Sequence, residues 1–325
     1  MIGVVRQAQG DLQGALASYQ ECLKISQKLA AADPTNANAQ RDLSVSHLKI
    51  GEVRQAHGDL KGALASYQEY QKISQQLAAA DPSNANAQRD LSICHSKIGE
   101  VQHAAGDLQG ALTSYQEGLK ISQKLAAADQ TNALAQRDLL IFYSKLGLAA
   151  RSLHDYLQSA AWFEKALQLA QSSSRPDFFA RDILDLQRDL RWSRATADGL
   201  EDLATIRQLA DADRPAILTA VILAHIHRKT PDKAIAAADL LLENAKTPVD
   251  TYNAARGYAL CVPLTDKPEE KERYAARAVA LLKQAVEKGF KDVSLMKKDT
   301  ALGALRDRDD FKACLKDCEE KLKQP

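Results

Sequence analysis

The chain has 325 residues, 45% apolar and 26% charged, the balance of an ordinary folded, water-soluble protein. Lys plus Arg (43) against Asp plus Glu (42) leaves a net charge of +1, which gives no general attraction to nucleic acid or an acidic membrane. Aromatics at 5% are too few for base-stacking platforms, and the longest apolar run, Ala216–Ala224 interrupted only by Thr219, is far short of the ~20 residues that cross a bilayer.

Residues 2–49 and 50–97 align without a gap and are identical at 38 of 48 positions. Residues 98–145 continue the pattern, and 146–172 carry a diverged fourth copy. A fixed period of this length is the mark of a repeat architecture. Within the second copy Leu60, Ala63, Leu64, Tyr67, Tyr70, Ile73 and Leu77 recur at steps of three and four, one apolar stripe of a helix. Gly58-Asp59 opens that helix, the Gly permitting a turn and the Asp capping. Asp81-Pro82-Ser83-Asn84 closes it, because Pro cannot continue a helix. A second helix is expected from about Asn84 to Ala105. Each unit is therefore two antiparallel helices.

The chain opens on "MIGVVRQAQGDLQGALASYQ", where the later copies place a further lead-in of helix before the same words. Only about two turns remain of the first helix, so much of the stripe Leu12, Leu16, Tyr19 and Leu23 is expected to lack cover. Two readings account for it: the chain is part of a longer protein or a truncated reading frame, or the open end is capped by self-association.

Ile50-Gly51, Gly58, Ala63 and Tyr67 match in register the tetratricopeptide repeat, to which residues 1–172 are similar; Tyr70 stands where that family usually has Ala. The fourth copy supplies Leu146-Gly147, Ser159, Phe163 and Ala166, with His154 replacing the second Gly. The 48-residue unit exceeds the family's usual ~34, through the insertion "ISQQLAAADPSNANAQRDL". The resemblance implies an all-α, right-handed superhelical solenoid of antiparallel helix pairs that binds a protein or peptide in a concave groove.

Beyond the repeats, helices are expected at about 177–194, 198–211, 214–229, 231–245, 248–262, 268–288 and 308–323. Residues 173–213 read as a connecting helical hairpin, and 214–325 as degenerate repeat helices closed by a capping helix. In that cap Phe311, Cys314, Leu315, Cys318 and Leu322 form the inner stripe, with Lys312, Lys316, Asp317, Glu319, Glu320 and Lys323 outside. Residues 272–311 resemble the C-terminal tails of planctomycete-type serine/threonine kinases that carry such repeats. The kinase signatures are absent from the chain itself.

No phosphate loop, dinucleotide glycine pattern, nucleophile elbow or zinc-protease motif appears. His225 and His227 fall on nearly opposite faces of a helix and cannot chelate together. Cys314 and Cys318 share a face but have no second ligand pair nearby. The five scattered cysteines follow no framework spacing, and residues 1–20 are polar and amphipathic; both point to a reduced, cytoplasmic protein. A non-enzymatic protein without cofactor or metal is expected.

Lys49, Lys97 and Lys145 recur at the period, at a position that the family resemblance turns towards the groove. Lys49 with Glu52 and Lys97 with Glu100 can pair three residues along the helix. In the fourth copy Leu148 stands in the Glu position, leaving Lys145 unpaired, with Arg151 a further turn along. These six charged residues are the candidate partner-binding set. The recurring Arg41-Asp42, Arg89-Asp90 and Arg137-Asp138 are assigned to helix packing. The function expected is a protein-binding scaffold, the recognition arm of a larger kinase-type signalling protein; the alternative is a module that self-associates through its N-terminal end.

Overall fold

The computed structural model describes residues 2–173 and 176–323, with the side chains of 176 and 321–323 outside the description. Among the described residues every regular element is helical. The chain parts into two compact units, residues 1–190 and 191–325.

The first unit opens with α1 (Ile2–Ala8) and α2 (Leu12–Ala32), followed by α3 (Ala37–Ala56), α4 (Leu60–Ala80) and α5 (Ala85–Ala104). Then come α6 (Leu108–Ala128), α7 (Ala133–Ser152), α8 (Tyr156–Ser172) and the first half of α9 (Ala180–Glu201). From α1 to α8 each helix packs on the next, which makes this unit a solenoid of antiparallel helix pairs. The odd-numbered helices are the first of each pair and the even-numbered ones the second.

The caps follow the period. Asp11, Asp59, Asp107 and Asp155 accept the amides of Gly14, Gly62, Gly110 and Gln158 at 2.8, 2.9, 2.9 and 3.0 Å. Each satisfies one of the donors that a helix start leaves open. Gly10, Gly58 and Gly106 hold φ of +80, +84 and +83°, and His154 takes the fourth such place at +59°. The turn between paired repeats does not depend on proline. Asp129-Gln130-Thr131-Asn132 makes it as Asp81-Pro82-Ser83-Asn84 does. The aspartate accepts from the backbone amide of Ser83 (3.1 Å) or Thr131 (2.9 Å), and from its hydroxyl at 2.6 or 2.7 Å. Asn84 and Asn132 then cap the next helix with two accepted amides each. The side-chain turn is what stops the helix.

One close approach explains the glycine of every pair. A Cβ on Gly3, Gly51, Gly99 or Gly147 would stand 2.8, 2.4, 2.5 or 2.9 Å from the ring of Tyr19, Tyr67, Tyr115 or Phe163. The aromatic of the second helix lies directly across the backbone of the first. Burial of such a ring is among the largest single contributions to a helical core.

The stripe expected to lie open at the N-terminal end is covered. Tyr19 is buried, and Leu12, Leu16 and Leu23 pack half-buried around Ala15, Ile50 and Val53. α1 is short, but Gly3 seats it on Tyr19 while α3 closes the other side. The apolar side chains exposed at this end are instead Ile2, Val4, Val5, Ile25 and Leu29.

The second unit holds α10 (Arg214–His227), α11 (Pro231–Glu243), α12 (Pro248–Cys261), α13 (Pro268–Glu287), α14 (Val293–Lys298) and α15 (Asp309–Lys323). No α-helix spans 198–211: α9 runs on to Glu201, Asp202 caps a 3-10 turn at Leu203–Gln208, and the chain is irregular to Arg214. α12 is buried nearly all round, with Tyr252, Ala254, Ala255, Gly257, Tyr258 and Ala259 inside. It forms the centre of this unit, between α11, α13 and α10. In α15, Phe311, Cys314 and Cys318 face inward and Leu315 is half-buried; the side chains of Leu322 and Lys323 lie outside the described residues.

Candidate functional site

Successive first helices of the array carry one charged ladder. Lys49 Nζ lies 2.8 Å from Glu52 on α3, and Lys97 Nζ lies 3.3 Å from Glu100 on α5. Each glutamate is also shared with the next helix: Lys97 reaches Glu52 at 3.8 Å and Lys145 of α7 reaches Glu100 at 2.6 Å. The five groups thus alternate in sign across three helices. Side-chain exposures of 21–36% place them at the surface yet partly shielded.

Lys145 is therefore not unpaired. The missing partner at Leu148 is replaced by the glutamate of the preceding repeat, 45 residues back. Its ammonium also stands 5.8 Å from the centre of the Tyr115 ring, within cation–π range. Arg151 reaches Asp189 at 3.3 Å and lies 5.0 Å from the centre of the Phe163 ring. Glu100 sits where burial would raise its pKa, but Lys145 and then Lys97 outweigh that and hold it below the usual carboxylate value. The Tyr67 and Tyr115 hydroxyls beneath the ladder are pushed up, first by burial and then by these glutamates. The ladder stops at both ends on apolar residues: Val4 and Leu148 occupy the Glu positions and are 55% and 44% exposed.

A second row of pairs runs through the first helices nearer their starts. Arg41 reaches Asp90 at 2.8 Å and Arg89 reaches Asp138 at 2.5 Å, each 49 residues apart. In place of a further aspartate, Arg137 lies 5.4 Å from the centre of the Phe178 ring. The recurring Arg and Asp residues thus bind neighbouring repeats to one another. Their signal was the period plus one, an offset that only adjacent packing makes meaningful.

Other chemical candidates are engaged in packing. His225 Nδ1 is 3.0 Å from the Thr230 hydroxyl. Cys94 is buried, and its thiol is pushed up to about 12 by that burial. Cys314 and Cys318 are buried as well. Among the described residues no three His, Cys, Asp or Glu side chains are grouped to hold a metal ion, and no helix is long and apolar enough to cross a membrane.

On its own geometry the first unit defines the class, a repeat solenoid of helix pairs. No protein-family model matches the chain, and a search of curated proteins finds no match. Among solved structures it is similar to a tetratricopeptide repeat protein from Parabacteroides merdae, at 16% identity over 93% of this chain and 95% of that one, TM-score 0.40. It is also similar to BtubC from P. vanneervenii, at 16% identity over 86% and 93%, TM-score 0.39. Yeast Tom70 matches at 12% identity over 98% and 82%, TM-score 0.31.

Proposed function

We propose that the repeat unit is a protein-binding scaffold, and that the face formed by its first helices receives a segment of another protein. The observation that carries this reading is the ladder Lys49, Glu52, Lys97, Glu100, Lys145, which repeats at the period and stays reachable by solvent. It has three cations and two anions, so an acidic side chain of a ligand meets one uncompensated positive charge. Val4 and Leu148 flank it and add apolar contact at both ends. Such partly exposed ion pairs contribute up to ~1 kcal/mol each and weaken with salt, so the ladder sets register and selectivity more than affinity. The resemblance of residues 272–311 to kinase tails supports placing the scaffold beside a kinase domain as its recognition arm.

The test is recovery of partners from a source lysate with the wild-type chain and with Lys97→Gln/Lys145→Gln as bait, at low and high salt. Partners held by the ladder are recovered about tenfold less with the variant and less at high salt, a loss of ~1.4 kcal/mol. Circular dichroism checks that the variant is folded. Identical recovery in all four conditions refutes the ladder as a binding surface.

A further inference from the structure

Between the two charged rows of the first helices lies a third row, which is apolar. Val45 on α3, Ile93 on α5 and Ile141 on α7 are half-buried and recur at the period. Each stands four residues after an arginine of one charged row and four before a lysine of the other, so the three rows share one helix face. Eight residues from arginine to lysine span about 12 Å along a helix axis, the diameter of an α-helix with its side chains. Ion pairs such as Arg41–Asp90 and Lys145–Glu100 make α3, α5 and α7 direct neighbours, so the apolar strip crosses three helices. A single extended strand takes up only ~5 Å beside its neighbour and would leave more than half of that width bare. The two borders of the strip share a bias in charge. The ladder sets three lysines against two glutamates. The opposite border begins with Asp42 at α3 but finishes at α7 on Arg137, which lies over the Phe178 ring instead of against a carboxylate. Both borders therefore finish on a cation at α7, Arg137 and Lys145, on either side of Ile141.

Building on the scaffold reading above, we propose that this strip seats an acidic amphipathic helix of a partner protein, lying across α3, α5 and α7. Its aliphatic stripe rests on Val45, Ile93 and Ile141, and its carboxylates run along both flanks. Packed helices are ~8–10 Å apart and two turns of the partner rise about 10.5 Å. Aliphatic residues seven apart in the partner thus meet successive first helices. Carboxylates at the end over α7 meet Lys145 on one flank and Arg137 on the other. The stripe gives attachment, and the two cationic borders select an acidic helix over a basic one.

The probe is a fluorescent synthetic peptide of three heptads, with Leu at the first position of each, Ala at the fourth, Glu at the fifth and seventh, and Gln elsewhere. The full chain is titrated against it and binding is read by anisotropy. Saturable binding is expected. A central proline, which breaks a helix but not an extended chain, should weaken it about a hundredfold. Lys in place of every Glu should weaken it at least as much. Arg137→Glu lies outside the ladder at an exposed site, and should weaken it tenfold or more with melting unchanged. No saturation up to about 1 mM peptide overturns the proposal. So does equal binding of the proline or lysine peptide, or binding that Arg137→Glu leaves unchanged. The lysate comparison described above separates the two readings. Partners that need Lys97 and Lys145, beside a peptide that fails, overturn the helix and leave the ladder standing. Partners indifferent to both lysines, beside a peptide that fails, remove both.

Discussion

The repeat unit and the C-terminal unit are both built from short antiparallel helices, but they are held together by different means. In the repeat unit one interface is solved once and reused. The Gly51–Tyr67 contact returns as Gly99–Tyr115, the Arg41–Asp90 pair as Arg89–Asp138, and the Asp59 cap as Asp107. In the C-terminal unit each contact is unique. Tyr252 stacks on Phe290 at 4.3 Å and donates its hydroxyl to Asp299 at 2.8 Å. Arg256 stands 2.8 Å from that carboxylate, close enough for an ion pair though not aligned as a hydrogen bond. Arg308 grips Glu272 with both terminal nitrogens at 2.6 and 2.9 Å. The difference teaches where each unit is vulnerable. A periodic interface concentrates energy in one ring per repeat, whereas an aperiodic one concentrates it in a few polar knots.

The largest effect should come from removing a ring. Tyr67→Ala, at a fully buried site, is expected to cost about 3–5 kcal/mol in denaturant unfolding. Gly51→Ala should cost about 1–3 kcal/mol in the native background, because its Cβ would meet the Tyr67 ring, and much less once that ring is gone. Additive costs in the double-mutant cycle would break the account of the paired glycine and aromatic.

The matching lesion in the C-terminal unit is Asp299→Ala. Its side chain is 7% exposed and also accepts the Ala301 amide at 2.9 Å, so the change strands Tyr252 and Arg256 together. A loss of about 3 kcal/mol is expected, read by thermal or urea unfolding. A loss below about 1 kcal/mol would show that the aperiodic unit does not rely on this knot.

The smallest effect concerns the ladder and depends on pH. Glu100 has its pKa lowered in the folded chain, so its contribution is present above the ordinary carboxylate value of about 4.3 and is lost as pH falls through the folded value. Glu100→Gln should therefore cost about 1 kcal/mol at pH 7. The gap to wild type should close as pH drops below about 4. A gap that is constant with pH would mean the charge is not what Glu100 contributes.

Much of this protein was legible from residue order alone. The period, the helix pairs, the Asp cap and the Gly58 turn are local matters, decided within a few residues of chain, and the sequence repeats each of them. The Lys49–Glu52 and Lys97–Glu100 pairs were legible for the same reason, since three residues along a helix is one turn. What crosses between helices was decided only by the tertiary structure. Glu52 and Glu100 serve two lysines each because packed helices bring residues 45 apart within bonding distance. Tyr70 meets the small Cys94, whereas one repeat later Phe142 fills the space over Gly118, where a Cβ would lie 2.3 Å from its ring. Close packing conserves volume at that contact, not residue type, and no single helix reveals the exchange. The same holds for the N-terminal end. Which leucines are covered depended on the seat of seven residues across Tyr19, and spacing along one helix cannot express a contact made by another.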